Sequence, residues 1–187
     1  MIEDVQHIKH NQRQKYQRFN LYCQDESRFG LLTLSHKALT VKGVKPVCTY
    51  QHKFDYTYLF GAFSPINGSH LVLELPQCNS EMFQTFLEQL SVQDEQEFKI
   101  VILDNGAFHH AKSLVIPDNI ALLFLPPYSP ELNPAEKAWW MIKRELKMKL
   151  FRTMEELQEA LTQAIKKICT ADAIKQLTAF ACYQQLV

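Results

Sequence analysis

Three acidic side chains, far apart in the chain, have the types and surroundings needed for chemistry. Asp104 ends the apolar run Val101-Ile102-Leu103 and is followed at once by Asn105. Glu136 comes at the close of a stiff, proline-punctuated turn, Leu125-Pro126-Pro127-Tyr128-Ser129-Pro130-Glu131-Leu132-Asn133-Pro134-Ala135-Glu136, which delivers it onto the first turn of a helix. Asp25 closes another short apolar run, Leu21-Tyr22-Cys23-Gln24-Asp25-Glu26. Aspartates at strand ends offer short, rigid arms, and a helix-borne glutamate reaches in from the side. Such a set suits a hard cation that takes oxygen ligands and keeps several waters. Metal-assisted cleavage of a phosphodiester uses two such cations ~3.5–4 Å apart, one beside the attacking oxygen and one beside the leaving oxygen.

Each acid also has a purely structural reading. Asn133, Pro134 and Glu136 form a capping-box pattern, with the glutamate at the third helical position. Asp25 and Asp104 can be turn formers at strand ends. The two roles are compatible, because a helix N-terminus favours an ionised carboxylate.

The elements that position these acids follow from periodicity. Residues 1–19 are polar and basic and read as a helical or frayed tail or linker remnant ahead of a domain spanning 20–187. Asn20–Gln24 is the first strand. Gly30–Lys53 carries the turn markers Gly43 and Pro46 and reads as a long loop or irregular hairpin. Strands at Tyr56–Phe63 and His70–Leu75 flank the turn-rich Ser64-Pro65-Ile66-Asn67-Gly68-Ser69. Asn79 or Ser80 caps a helix to about Val92, with Met82, Phe83, Phe86, Leu87 and Leu90 on one face. Phe98–Leu103 and Ile120–Leu125 are near-continuous apolar runs, the mark of strands covered on both sides. Helices follow from Pro134, over Met154–Ile168, and from about Ala171 to Tyr183. An antiparallel start joined to later crossover units predicts an α/β fold: a mixed five-stranded sheet of ribonuclease-H-like order, with helices on both faces.

Composition excludes several classes. The 187 residues, 47% hydrophobic and 11% aromatic, can bury a full core, and no apolar run approaches a membrane span. The acidic, polar start is not a signal peptide, so a cytoplasmic, nucleoid-associated protein is expected. Five cysteines (Cys23, Cys48, Cys78, Cys169 and Cys182) without a C-x-x-C pair argue for reduced thiols rather than a zinc site or a disulfide framework. Formal net charge is zero, but residues 1–53 hold nine Lys/Arg against four Asp/Glu, whereas residues 54–103 hold one against seven. A polarised surface able to meet a polyanion is therefore consistent with overall neutrality.

Cys23-Gln24-Asp25-Glu26-Ser27-Arg28-Phe29-Gly30, Leu103-Asp104-Asn105-Gly106-Ala107-Phe108-His109, and Leu125 through Trp139 resemble the three signature blocks of mariner-type DDE transposases, most nearly their bacterial insertion-sequence branch. The resemblance covers residues 20–150 in matching order, and its last block is specific. It implies a ribonuclease-H-like DDE catalytic domain that cleaves DNA at transposon ends and joins the freed 3′-hydroxyl to target DNA. It implies Mg²⁺ or Mn²⁺ as cofactor, as two ions, and a homodimer as the working form. Carried over by position, Asp25, Asp104 and Glu136 are the catalytic and metal-binding triad, with Asn105 and His109 in support. The basic Gly30–Lys53 loop falls where the family carries an insertion that contacts DNA or a second subunit, which makes Lys37, Lys42 and Lys45 candidates for DNA contact.

Two departures from the family stand out. Only about two dozen residues precede Asp25, where the family places a helix-turn-helix, so such a segment from an upstream reading frame is an expected partner. Asp104 and Glu136 are also a little closer in sequence than is usual. The alternative function is a truncated, non-catalytic remnant that dimerises with or regulates a full-length transposase; a structure-selective nuclease of the same fold is a third.

Along the helix after Pro134, Ala135, Trp139, Ile142, Leu146 and Leu150 form an apolar stripe. Glu136, Trp140, Lys143 and Lys147 fall along its flank, where the two lysines suit phosphate contacts. Arg144 is expected to point away from that flank. Glu26 and Glu131 are decoys on this reading: Glu26 points to the opposite face of its strand from Asp25, and Glu131 lies in the turn between prolines.

Overall fold

The computed structural model of the chain describes residues 2–32, 41–45, 51–127, 129–147, 149–180 and 183. Five strands, β1 (Arg18–Gly30), β2 (Tyr56–Phe63), β3 (His70–Leu75), β4 (Glu97–Leu103) and β5 (Ile120–Phe124), form one sheet in the order β3-β2-β1-β4-β5. β1, β2 and β3 are antiparallel neighbours, whereas β4 and β5 run parallel to β1 and to each other. The long β1 therefore sits at the centre, its first half (Arg18–Cys23) paired with β4 and its second half (Cys23–Gly30) with β2.

Helices cover both faces, as the alternation of apolar runs requires. On one face α2 (Ser80–Gln93) buries Phe83, Phe86, Leu87 and Leu90 against Tyr22, Phe60, Ala62, Val101 and Leu103. Its N-cap is Asn79, whose side chain accepts from the Met82 amide. On the other face lie α1 (Ile2–Gln12), α3 (Ala135–Leu146), α4 (Met154–Ile168) and α5 (Ala171–Leu177), packed over Leu21, Cys23, Phe63, Ile100 and Ile102. Trp139 is the largest fully buried side chain on this face.

The ribonuclease-H-like, five-stranded α/β architecture expected from the sequence is the one observed, with three local corrections. β1 runs from Arg18 to Gly30 rather than ending at Gln24, because its second half pairs with β2 down to Gly30 opposite Tyr56. The N-terminal segment is not a trailing tail: Val5 and Tyr16 are buried in the core, and the Tyr16 ring lies 5.2 Å from that of Phe98. α3 ends at Leu146, so Leu150 leaves the apolar stripe and is 43% exposed. Cys78 and Cys169 are free thiols, Cys23 is buried in the core, and Cys48 and Cys182 lie outside the described residues. Among the described residues no helix is long and apolar enough to cross a membrane.

Candidate active site

The parallel ladder between β1 and β4 sets the first two acids side by side. Its last pair is Cys23 with Ile102, and the same register carried two residues further brings Asp25 level with Asp104. Side chains alternate along a strand, so Asp25 and Asp104 share the face of Leu21, Cys23, Ile100 and Ile102, beneath α3. On the other side of β1, Asp25 is paired with Gly61 of β2. Gly61 has to be bare: a Cβ there would fall 2.7 Å from ring atoms of Trp139 and of Phe63. Trp139 thus seats α3 directly over the strand next to Asp25. Glu136 stands three residues earlier on the same side of that helix.

A side-chain clamp fixes this seating. Asn133, buried, donates through Nδ2 to the Gln24 carbonyl at 2.8 Å and accepts the Ala135 amide on Oδ1 at 3.1 Å. One amide therefore ties the backbone beside Asp25 to the start of the helix that carries Glu136. The Tyr183 hydroxyl adds a second tether, donating to the Leu132 carbonyl at 2.6 Å. The capping box expected of Asn133 and Glu136 is replaced by this arrangement. Pro134 takes the N-cap position, and among the described residues the Glu136 side chain makes no capping bond and stays exposed.

Charge gathers here. Burial first, and then the like charges of Glu136, Glu26 and Asp104, push the Asp25 carboxyl up to about 8. Burial and the charges of Glu26, Asp104 and Asp25 likewise push the Cys78 thiol up to about 11. Asp25 therefore feels both of its expected partners. The acids share a field rather than a finished cage: among the described residues no three His, Cys, Asp or Glu side chains stand close enough together to hold a metal ion as they are. Two buried polar atoms on the same elements lack hydrogen-bond partners, Gln24 Oε1 beside Asp25 and Trp139 Nε1 one turn after Glu136.

The supporting residues divide. His109 is buried in the 3-10 turn Ala107–His110, with Nδ1 3.0 Å from Asp104 Oδ1 and Nε2 3.1 Å from Glu26 Oε1. Asp104 Oδ1 also accepts the Gly106 amide at 2.9 Å, so it is Asp104 rather than Asn105 that forms the Asx-turn. Asn105 instead donates to the Leu125 carbonyl, tying the end of β4 to the end of β5. Glu26 points away from Asp25, as its strand position requires, and on that far face His109 reaches it. From the sequence Glu26 was named only as a decoy and Cys78 only among the thiols; the Asp-Glu pair beside a later histidine was the only signal for the Glu26 contact, and Cys78 had none. Glu131 stays exposed in the turn, outside the site.

Among the basic candidates, Lys143 lies over the Phe29 ring at 5.7 Å, on the same side of β1 as Asp25. Lys147 is the exposed C-cap of α3. Arg144, expected to point away from that flank, lies 4.9 Å over the exposed Trp140 ring. Lys42 and Lys45 are exposed in the 41–45 segment, and Lys37 is outside the described residues.

Residues 20–158 match the family model described as DDE superfamily endonuclease. A Sinorhizobium fredii protein, y4pE/y4sA, described as uncharacterised, is 36% identical over 104 residues, 54% of this chain and 77% of its own length. The structure is similar to the Mos1 mariner paired-end complex with Mn (TM-score 0.65, 16% identity, 99% of this chain and 58% of that one). It is also similar to the Mos1 strand transfer complex (TM-score 0.64, 16% identity, 100% and 59%). The chain thus spans under two thirds of the length of the Mos1 chains it matches.

Proposed function

We propose, for a chain that belongs to the DDE superfamily endonuclease family, the catalytic unit of a transposase: metal-dependent cleavage of DNA at transposon ends, then transfer of the 3′-hydroxyl to target DNA. The observation that carries this reading is the placement of Asp25 on the central strand, in register with Asp104 after the end of β4 and below the first turn of α3, which carries Glu136. The likeness of the fold to Mos1 chains solved with a transposon end and as a strand transfer complex supports it.

The residues present fit magnesium or manganese. Carboxylates gathered in this way are a hard-oxygen donor set, and burial, together with the like charges of Glu136 and Asp104, pushes the Asp25 carboxyl up, a cost that a cation would relieve. Asp25, Asp104 and Glu136 would hold the metal. Bound there, the cations supply charge neutralisation at the attacking and leaving oxygens of an in-line displacement at phosphorus.

The chain's own residues do the rest. The central strand holds Asp25 rigid, and the Gly106 amide with His109 occupies one oxygen of Asp104, so that the other faces out. α3 presents Glu136 from the side, and Lys143, on the same helix, is placed to contact a phosphate next to the scissile one. Lys147, Lys42 and Lys45 extend the basic surface available to transposon-end and target DNA. A homodimer and a separate helix-turn-helix segment would complete the assembly.

The test is Asp104→Asn, assayed for Mn²⁺-dependent nicking of transposon-end DNA and for thermal stabilisation by Mn²⁺. Both should be lost while the metal-free melting curve is kept. Nicking retained by the folded variant would remove the assignment. An unmutated chain that binds the DNA but is neither stabilised by Mn²⁺ nor able to nick is the regulatory remnant instead.

A further inference from the structure

Glu26 lies on the face of β1 opposite Asp25, next to α2, where its side chain is only 11% exposed. An acid so enclosed is costly unless it is paired and hydrogen-bonded. Glu26 has two partners. Gln24 Nε2 donates to Oε1 at 2.6 Å, and His109 Nε2 donates to the same oxygen at 3.1 Å. The His109 ring, 1% exposed, is held from the side by Phe83 and Phe108, at 4.5 and 4.1 Å between ring centres. Its other nitrogen, Nδ1, is 3.3 Å from the Asp104 carbonyl and 3.0 Å from Asp104 Oδ1. Both ring nitrogens therefore lie against oxygen atoms, one from each side of the ring. A Cβ at Gly106 would stand 3.1 Å from both Asp104 Oδ1 and His109 Nδ1, so a larger residue there would press on this contact.

The chain Gln24–Glu26–His109–Asp104 thus crosses from the buried α2 face to an exposed site carboxylate, Asp104, at 62%. From this we infer that Glu26 is a positioning residue. It fixes the His109 ring, and through the ring it holds Asp104 with Oδ1 turned inward and Oδ2 presented to the cation. The inference rests on the metal-dependent reading above and adds to it a residue that cannot join Asp25 on its own face of the strand. Outer partners of this kind, a carboxylate behind a histidine or behind a ligating carboxylate, typically tune metal affinity by about 10–100-fold.

The experiment measures Mn²⁺ binding by calorimetry to the whole chain and to Glu26→Ala, Glu26→Gln, His109→Ala and the Glu26→Ala/His109→Ala double variant. Metal-free melting and near-ultraviolet circular dichroism confirm that each is folded. Glu26→Ala should weaken Mn²⁺ by roughly tenfold or more. Glu26→Gln, which keeps an oxygen acceptor for the ring and serves if the alanine variant fails to fold, should recover part of the loss. In the His109→Ala background, Glu26→Ala should cost nothing further, because its action runs through the ring.

A folded Glu26→Ala chain with unchanged Mn²⁺ affinity overturns the inference. So does a full penalty that persists without His109, which would make Glu26 a direct ligand or a packing residue. In both cases the unmutated chain still binds Mn²⁺ and Asp104→Asn still loses it, so the metal reading survives. An unmutated chain that binds no Mn²⁺ overturns the metal reading and this role together.

Discussion

Asn133→Ala removes the clamp between the two halves of the site, and its cost can be worked from the two bonds it breaks. The Gln24 carbonyl loses its Nδ2 donor in a buried setting, and the Ala135 amide loses its acceptor at the start of α3. A buried polar group left unpaired costs about 1–3 kcal/mol, and a lost helix-start cap about 1 kcal/mol. The total, about 2–4 kcal/mol, is a large share of the roughly 5–15 kcal/mol that holds a domain together, yet leaves it folded. Urea denaturation should show the midpoint fall with an unchanged slope. Asn133→Asp separates the two bonds. It keeps the acceptor for Ala135 but turns a carboxylate toward the Gln24 carbonyl, so it should destabilise at least as much as alanine does. Nicking should fall further than stability, because a shift of about 1 Å in a positioned group can cost on the order of 100-fold in rate. An alanine variant within about 0.5 kcal/mol of the unmutated chain, or an aspartate variant equal to it, refutes the clamp.

Gly61→Ala should destabilise the chain by about 1–3 kcal/mol through overpacking against Trp139 and should weaken nicking by displacing α3, as read by urea midpoints and the nicking assay; unmutated stability and rate would show that α3 does not rest on this glycine. For pH, Asp25 rises from an ordinary 3.8 to about 8 on folding, so between those values the folded chain binds more protons than the unfolded one. Its contribution is full below about 4 and is lost as pH rises toward 8, so the metal-free chain should lose stability over that window. Asp25→Asn should flatten this slope, and parallel slopes for the two chains in urea midpoints against pH would contradict the burial and crowding described. Mn²⁺ should offset the loss in the unmutated chain, and an Mn²⁺-independent slope there would place the cation elsewhere.

Much of the architecture was legible because its signals are local. β2 and β3 lie where alternation and turn chemistry placed them, and α4 spans Met154–Ile168 as its apolar spacing indicates. β1 was cut short because Asp25, Glu26 and Arg28 break its apolar pattern, while the pairing that extends it comes from β2, more than two dozen residues later. The order of the three acids and their flanks is what suggested the triad proposed above. What could not be read were the contacts between distant segments. Alternation correctly put Glu26 on the other face of β1, but nothing in the local sequence says that a ring from the turn after β4 waits there. Asn133 was readable as a helix-start residue, but its bond to the Gln24 carbonyl depends on where β1 lies once the sheet has formed.

The Asn133 tether has a consequence for synthesis. Asp25 and Asp104 emerge from the ribosome well before Asn133, and the third acid, Glu136, follows that amide by three residues. A nascent or prematurely terminated polypeptide then carries two of the three acids and no means of seating the last. If the proposed function holds, all three acids come together only once the segment past Asn133 has been made.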